Sequence, residues 1–147
     1  MRAVLQRVLS ADVSVNSQIV GSIGEGLMVY LGFGDGDTEV QVDTLVEKIT
    51  KLRIFSNEQG KFDLSVLDVA GDLLLVPQFT LFADTTGRRP SFFDAATPEV
   101  AAELFSIVVK KFSISGISKV ESGIFGAHMS VQSVNNGPVT ILLDDKI

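Results

Sequence analysis

Two amphipathic helical patterns interrupt a chain that is otherwise rich in β-prone segments, and this alternation limits the folds open to it. Apolar side chains at helical spacing, preceded by a capping box of Thr38 and Gln41, predict a helix over residues 38–52. A second helix is predicted to start at Thr97-Pro98 and to end at Ser115-Gly116. The chain therefore combines two clear helices with strands.

The β-prone segments fall before, between and after these helices. An antiparallel meander is predicted near the start of the chain, from residues 2–8, 13–15 and 18–33. A hairpin is centred on the sequence NEQG, and three further strands are predicted at residues 118–123, 128–134 and 139–144. With no linker or internal repeat, the pattern predicts a single α/β or α+β domain over residues 1–147, with a mixed sheet and two main helices.

The scarcity of reactive side chains narrows the possible chemistry. The chain has no cysteine and a single histidine, His128, which largely excludes thiolate catalysis, disulfides, cysteine-rich zinc sites and a Ser-His-Asp triad. We interpret His128 as a partly buried strand residue and assign it no role. Neither a metal nor a cofactor is predicted, because no ligand-like spacing is found among Asp35, Asp37, Asp63, Asp68 and Asp84.

The charge and the apolar runs bear on partners and location. A net charge of −6 opposes broad binding to nucleic acids such as DNA, although it leaves room for a local basic patch. The apolar runs are too short to cross a bilayer, and Met1 leads into RAVLQRV without the apolar stretch of a signal peptide. These features predict a soluble, cytoplasmic protein with no membrane partner.

The segment VPQFTLFADTTGRRPSF, residues 76–92, runs from an apolar strand into a polar and basic loop. If the strand continues through it, Gln78 and Thr80 share one face and Phe79 lies on the other. The ordinary interpretation is the solvent face of an edge strand, which Pro77 also favours because proline cannot donate to a ladder. The alternative is a reaction site at the strand end.

Two other segments have both an ordinary and a functional interpretation. Arg88 and Arg89 are either part of a solvated loop or a pair of guanidinium groups that bind phosphate. Asn136-Gly137 is typical of a hairpin turn, whereas Gly137-Pro138 is a bond that is cis in only about 5% of folded X-Pro cases. A cis bond there would indicate a feature built for a purpose.

Taken together, these segments resemble the D-aminoacyl-tRNA deacylases, also called D-tyrosyl-tRNA deacylases. The resemblance covers almost the whole chain, through the ordered blocks RAVLQRV, GSIGEGLMVYLG, KLRIFSNEQGK, VPQFTLFAD, RRPSF, FGAHM and NNGPVT. It implies a barrel-like sheet and a homodimeric proofreading enzyme. Such an enzyme hydrolyses the ester that joins a D-amino acid, or glycine, to the terminal adenosine of tRNA.

The resemblance also implies where the site lies. The family's glutamine-containing motif falls on Gln78, Phe79 and Thr80, and its Gly-cis-Pro motif falls on Gly137 and Pro138, followed by Val139 and Thr140. In the family, the Gly-cis-Pro element of one subunit enters the pocket of the other. Its carbonyls are expected to hold the substrate's α-amino group and to leave no volume for an L side chain. Arg88 and Arg89 are the expected contacts to the aminoacylated 3′ end of tRNA.

The resemblance is compatible with two mechanisms, and the sequence departs from the family's usual pattern at two positions. In one mechanism a backbone N–H near Phe79 stabilises the oxyanion while the ribose 2′-hydroxyl assists water; in the other Thr80 is a covalent nucleophile, which requires a base. We favour the substrate-assisted mechanism, with Gln78 positioning the substrate. The departures are Pro77, where the family usually has serine, and Asn136, where it often has aspartate.

Two other classes of function compete with the deacylase interpretation. A binding module would use the same pocket to hold an aminoacyl end or a small metabolite without turnover, and the missing serine at Pro77 favours it. An unrelated small hydrolase would cleave a simpler ester and leave D-aminoacyl-tRNA intact.

Overall fold

A long first strand organises the protein, whose computed structural model describes residues 1–144. The strands are β1 (Arg2–Val15), β2 (Gln18–Ile23), β3 (Gly26–Gly32), β4 (Phe55–Ser56), β5 (Phe62–Leu64), β6 (Asp72–Pro77), β7 (Val120–Ser122) and β8 (Ser130–Leu143). The helices are α1 (Glu39–Lys51), α2 (Pro98–Ser113) and a 3-10 helix, Phe79–Phe82. This is a mixed α+β architecture with two main helices, as the sequence predicts.

The main sheet has the order β2-β1-β3-β6-β7, with β8 on the other side of β1. The predicted meander is wrong in one respect, because β3 pairs with the first half of β1 and not with β2. Strands β3, β6 and β7 are parallel neighbours, so the sheet is mixed. At its far end β2 approaches β7 closely: a Cβ at Gly21 would lie 3.1 Å from the Ser122 carbonyl oxygen. The sheet is therefore nearly closed, like a barrel.

Both helices bury most of the apolar face that their periodicity predicts, although Val100, expected on the buried face of α2, is exposed. The backbone N–H of Thr38 donates to Gln41 Oε1 over 2.9 Å at the start of α1, and Pro98 occupies the first turn of α2. Their buried residues join one core with the sheet: Val42, Leu45 and Ile49 from α1, and Leu104, Phe105, Val108 and Phe112 from α2. Within residues 1–144, neither helix is long and apolar enough to span a membrane.

The strand predicted through VPQFTLF is shorter than expected. β6 ends at Pro77, the last residue paired with β3 at Leu31, and the chain then turns into the 3-10 helix. The prediction that Gln78, Phe79 and Thr80 alternate along a strand is therefore wrong. The edge-strand interpretation is also wrong, because β6 lies between β3 and β7.

The predicted hairpin turn at Asn136-Gly137 is also wrong. One continuous strand, β8, runs from Ser130 to Leu143 and pairs with β1 on both sides of this dipeptide. Gln6 pairs with Thr140, and Val8 with Asn135, so a large bulge in β8 faces the single residue Arg7. The long strand β1 continues pairing past the bulge, which overrides the local turn preference.

Candidate active site at the end of strand β6

The turn after β6 is fixed by its contacts with β3. The Gln78 backbone N–H donates to the Leu31 carbonyl over 2.8 Å, which continues the ladder by one bond. A Cβ on Gly32 would lie 2.9 Å from the Gln78 carbonyl oxygen, so this close approach requires glycine. Within the turn, the Leu81 N–H donates to the Gln78 carbonyl over 3.3 Å. The segment that follows Pro77 therefore has a defined position.

This turn brings together the three residues predicted to act in catalysis. The Gln78 side-chain amide donates a hydrogen bond to Thr80 Oγ1. Phe79 leaves 58% of its surface exposed and meets Phe92 edge-on, with ring centroids 5.0 Å apart. The N–H groups of Phe79 and Thr80 lie in the first turn of the 3-10 helix, where no earlier helical carbonyl can accept them. They are thus available to a carbonyl oxygen of a ligand.

Two cavities adjoin this turn. The larger, of about 370 Å³, is mostly apolar and is lined by residues that include Gln78, Phe79, Phe92, Ala95, Ala101 and Phe125. The smaller, of about 280 Å³, is lined by residues that include Gln78, Phe79, Ala127 and His128. Because Gln78 and Phe79 line both, a ligand held at their backbone can extend to either side.

The Gly137-Pro138 segment is displayed by the bulge in β8. Its peptide bond is cis, and both residues are exposed. The bulge is held from below by Arg7, which is only 8% exposed and donates from Nε to the Asn136 carbonyl over 3.1 Å and from Nη1 to the Ile54 carbonyl over 2.8 Å. Val139, which follows the cis bond, is buried. The two exposed residues are thus held in place by the buried residues Arg7 and Val139.

The residues that flank the bulge form further hydrogen bonds. The Val139 N–H donates to Asn135 Oδ1 over 3.0 Å, and the Asn135 side-chain amide donates to Thr140 Oγ1 over 3.1 Å. Thr140 also accepts a hydrogen bond from the Gln6 side chain at 3.3 Å. Thr140 is therefore placed as a support of the bulge.

A single chain does not bring the two predicted motifs together. On β3, Leu27 pairs with Arg7 below the bulge, whereas Leu31, four residues further along, pairs with Pro77. Four residues along a strand and three strand spacings, from β8 to β6, correspond to about 20 Å on the sheet. Neither cavity beside Gln78 is lined by Gly137 or Pro138.

The two arginines lie in the loop that connects Asp84 and Ser91. Reciprocal backbone hydrogen bonds of 2.9 and 3.0 Å join Asp84 and Ser91 at its base. The Thr86 N–H donates to Asp84 Oδ1 over 2.9 Å and lowers the pKa of that carboxyl group. Arg88 and Arg89 are both exposed. The loop leads directly into Phe92, so Arg88 and Arg89 are close in the sequence to a residue of the cavity wall.

Several residues of the site were not predicted from the sequence. Phe92 and Phe125 line the larger cavity, and Arg7 supports the bulge. The block RRPSF contains Phe92, but nothing in its spacing indicates a cavity wall. His128 is exposed and precedes β8, so its interpretation as a partly buried strand residue is wrong. Within residues 1–144, no three acidic or histidine side chains cluster in a way that could hold a metal ion.

Comparison with known proteins identifies a family. Residues 4–144 match the family model described as D-Tyr-tRNA(Tyr) deacylase. A D-aminoacyl-tRNA deacylase from Roseiflexus sp. (strain RS-1) is 53% identical over 148 residues, covering 100% of this chain and 95% of the relative. The D-aminoacyl-tRNA deacylase of Aquifex aeolicus (strain VF5) is 54% identical over 147 residues, covering 99% of both chains.

Solved structures share the fold. One, described as a c-Myc DNA Unwinding Element Binding Protein, superposes with a TM-score of 0.92 at 36% sequence identity and covers 99% of both chains. A second, described as a probable eukaryotic D-amino acid tRNA deacylase, has a TM-score of 0.83 at 22% identity and covers 97% of both chains. The second likeness supports the barrel-like fold.

Proposed function

The chain belongs to the D-aminoacyl-tRNA deacylase family, and on that basis we propose that it cleaves the ester of D-aminoacyl-tRNA at the turn formed by Gln78, Phe79 and Thr80. As a member it is a hydrolase acting on aminoacyl-tRNA. The observation that carries the placement of the site is the pair of first-turn N–H groups beside two cavities. We take residues 1–147 as one deacylase domain that works in the cytoplasm without a cofactor.

The proposed reaction needs no protein nucleophile. Water attacks the ester carbonyl carbon, the bond to the ribose oxygen breaks, and the products are a D-amino acid and a tRNA with a free terminal hydroxyl. The N–H of Phe79 stabilises the oxyanion as it forms, which is a large term in acyl transfer. The ribose 2′-hydroxyl beside the ester assists the water. Gln78 positions the substrate.

The contacts of Thr80 argue against a covalent role for its hydroxyl. Thr80 Oγ1 accepts a hydrogen bond from the Gln78 amide, which has no basic atom to remove a proton. A threonine nucleophile requires a neighbouring base. Thr80 therefore shapes the pocket by fixing the Gln78 side chain. This leaves the substrate-assisted mechanism as our proposal.

The replacement of the family's usual serine by Pro77 is compatible with this mechanism. Pro77 ends β6 and precedes the N–H groups that we assign to the oxyanion. A serine there would add a hydroxyl and a backbone donor one position before Gln78, outside the 3-10 helix. Catalysis by backbone groups from Phe79 onward does not depend on either. Likewise, Asn136 contributes its carbonyl to Arg7, which aspartate at that position can also do.

Selection of the D enantiomer is proposed to come from a second copy of the chain. Gly137 and Pro138 are exposed on a rigid bulge, and about 20 Å of sheet separates them from Gln78 of the same chain. In a two-fold dimer, each bulge can reach the cavity of the partner. There it holds the α-amino group of the substrate and occupies the space that an L side chain would need. Glycine, which has no side chain, is expected to escape this exclusion.

The function is tested by following the release of labelled amino acid from D-Tyr-tRNA and L-Tyr-tRNA. We expect rapid loss of the D ester while the L ester stays intact, and measurable cleavage of glycyl-tRNA. Equal cleavage of both enantiomers would contradict the proposed chiral selection. Cleavage of a simple ester alone would favour the unrelated hydrolase, and binding without cleavage of either ester would favour the binding module.

Loss of the loop arginines is expected to weaken binding of tRNA. For a variant with both Arg88→Ala and Arg89→Ala, the negative slope of log K against log salt should become shallower by about 1.4, because each single-strand phosphate contact contributes about −0.7. The measurement is fluorescence anisotropy with labelled tRNA over a salt series. The matched control, Lys48→Ala with Lys61→Ala, removes two exposed positive charges elsewhere. An equal effect of both pairs would show that only net charge matters.

The name of one structural neighbour concerns DNA, whereas the charge of this chain opposes binding to duplex DNA. The net charge of −6 opposes the neutralisation of duplex phosphates that DNA binding requires. The two arginines supply a small basic patch that suits a few phosphates of a single-stranded end. The proposed partner is thus the aminoacylated 3′ end of tRNA.

A further inference from the structure

Phe93 presents an aromatic ring to solvent beside the proposed site. Its surface is 93% exposed, the highest value among the exposed large apolar residues of the described chain. It lies in a tight turn that is closed by a hydrogen bond of 3.1 Å from the Ala95 N–H to the Phe92 carbonyl. Single exposed apolar side chains are common on protein surfaces, so exposure alone indicates nothing. The support of this turn and its surroundings carry the inference.

The turn is fixed to the segment that follows β3 on both sides of Ala95. The Asp35 N–H donates to the Asp94 carbonyl over 2.9 Å, and the Ala96 N–H donates to the Phe33 carbonyl over 2.9 Å. These two hydrogen bonds form the antiparallel bridge between Gly34 and Ala95. The backbone that follows Phe93 is therefore held by two hydrogen bonds to the segment after β3, and binding a ligand to the ring would cost little ordering entropy.

The residues around Phe93 are of the types found in binding sites for single-stranded nucleic acids. The preceding residue, Phe92, lines the larger cavity together with Gln78. Consecutive Cα atoms are about 3.8 Å apart, so the Cα atom of Phe93 lies next to that of a residue in the cavity wall. The loop with Arg88 and Arg89 precedes the same turn. Aromatic rings that stack on bases, combined with cationic side chains that contact phosphates, are typical of single-strand binding sites.

We propose that Phe93 is a stacking platform for the nucleobase that precedes the terminal adenosine of the bound tRNA, with Arg88 and Arg89 at the adjoining phosphates. This inference rests on the proposed function, because it places the terminal aminoacyl-adenosine at Gln78 and Phe79. Stacking accepts any base, since every base has a π face. The platform therefore gives affinity for the 3′ end without restricting which tRNA is bound.

The test compares substrates with and without the preceding nucleotide. For Phe93→Ala, we expect kcat/KM on D-Tyr-tRNA to fall about tenfold. D-tyrosyl-adenosine, which lacks that nucleotide, should be cleaved by this variant and by the unchanged protein at equal rates. Phe93→Trp should keep the rate on tRNA. Ile114→Ala removes another strongly exposed apolar side chain, 80% exposed at the end of α2, and should change neither rate.

A modified tRNA tests the same contact from the side of the ligand. With an abasic nucleotide before the terminal adenosine, the unchanged protein should lose about tenfold in kcat/KM, whereas Phe93→Ala should lose nothing further. Independent losses from the two changes would overturn the inference. So would an unchanged rate of Phe93→Ala on D-Tyr-tRNA, or an equal loss on both substrates.

Other outcomes separate this inference from the proposed function. If the unchanged protein cleaves neither ester, the proposed function fails. The platform is then tested by binding of uncharged tRNA with and without the abasic nucleotide, and it fails if Phe93→Ala binds both as the unchanged protein does. If Phe93→Ala lowers the molar mass measured by light scattering, the ring belongs to a protein interface and the inference is wrong.

Discussion

Phe79→Pro should lower kcat on D-Tyr-tRNA about 100- to 1,000-fold relative to Phe79→Ala, because proline removes the backbone N–H that we assign to the oxyanion. The position tolerates the substitution structurally. Phe79 is the first residue of the 3-10 helix, where its N–H makes no intrahelical bond and the fixed φ of proline fits a helical conformation. The loss should therefore appear in catalysis and not in folding.

The comparison with Phe79→Ala isolates the N–H from the ring. Both variants lose the edge-on contact with Phe92, whose centroid is 5.0 Å away, but only the proline variant loses the donor. Rates come from single-turnover kinetics with saturating enzyme, and thermal unfolding of the two variants should agree within a few degrees. Equal kcat values for the two variants would move the oxyanion contact away from Phe79, and the Thr80 N–H would be the next candidate.

The success and failure of the sequence predictions have distinct physical causes. The helix start at Thr38 is predictable because its signals are local: a capping box followed by apolar residues at helical spacing. The end of β6 cannot be predicted in this way, because it depends on β3. β3 ends at Gly32, so after the pair Leu31 and Pro77 the chain has only one more ladder bond to make. Nothing in the local sequence VPQFTLF indicates where the neighbouring strand β3 ends.

The bulge in β8 illustrates the same limit. Locally, Asn136-Gly137 favours a turn, and the residues on each side favour strands. The outcome depends on β1, a strand of 14 residues that pairs with β8 on both sides of the bulge. Arg7 then satisfies the Asn136 carbonyl that the bulge leaves outside the ladder. The family resemblance predicts a Gly-cis-Pro motif at Gly137 and Pro138, whereas its support by Arg7 depends on contacts between residues far apart in the sequence.

The Gly137-Pro138 bulge lies far from Gln78 of the same chain, and its role in activity can be tested by substitution of Gly137. Gly137→Ala should reduce activity by about 100-fold, since a shift of about 1 Å in a positioning group can have an effect of that size. Its new Cβ would lie 2.8 Å from Val139 Cγ2 and 3.0 Å from the Val139 nitrogen, at a φ of +131°. The bulge must therefore move. Gly116→Ala is the matched control, because Gly116 also has a positive φ, +94°, but its Cβ would make only an ordinary contact.

Two impaired variants should restore activity when they are combined in one dimer. A heterodimer of Phe79→Pro and Gly137→Ala protomers has one site with both changes and one with neither, if each site takes Phe79 from one chain and Gly137 from the other. Differently tagged protomers are co-expressed, and heterodimers are isolated on both tags in succession. We expect about half of the wild-type activity per dimer, against roughly one hundredth for either homodimer. If both motifs acted within one chain, every site would carry a change and activity would stay low. Failure to recover any doubly tagged species would contradict the dimer itself.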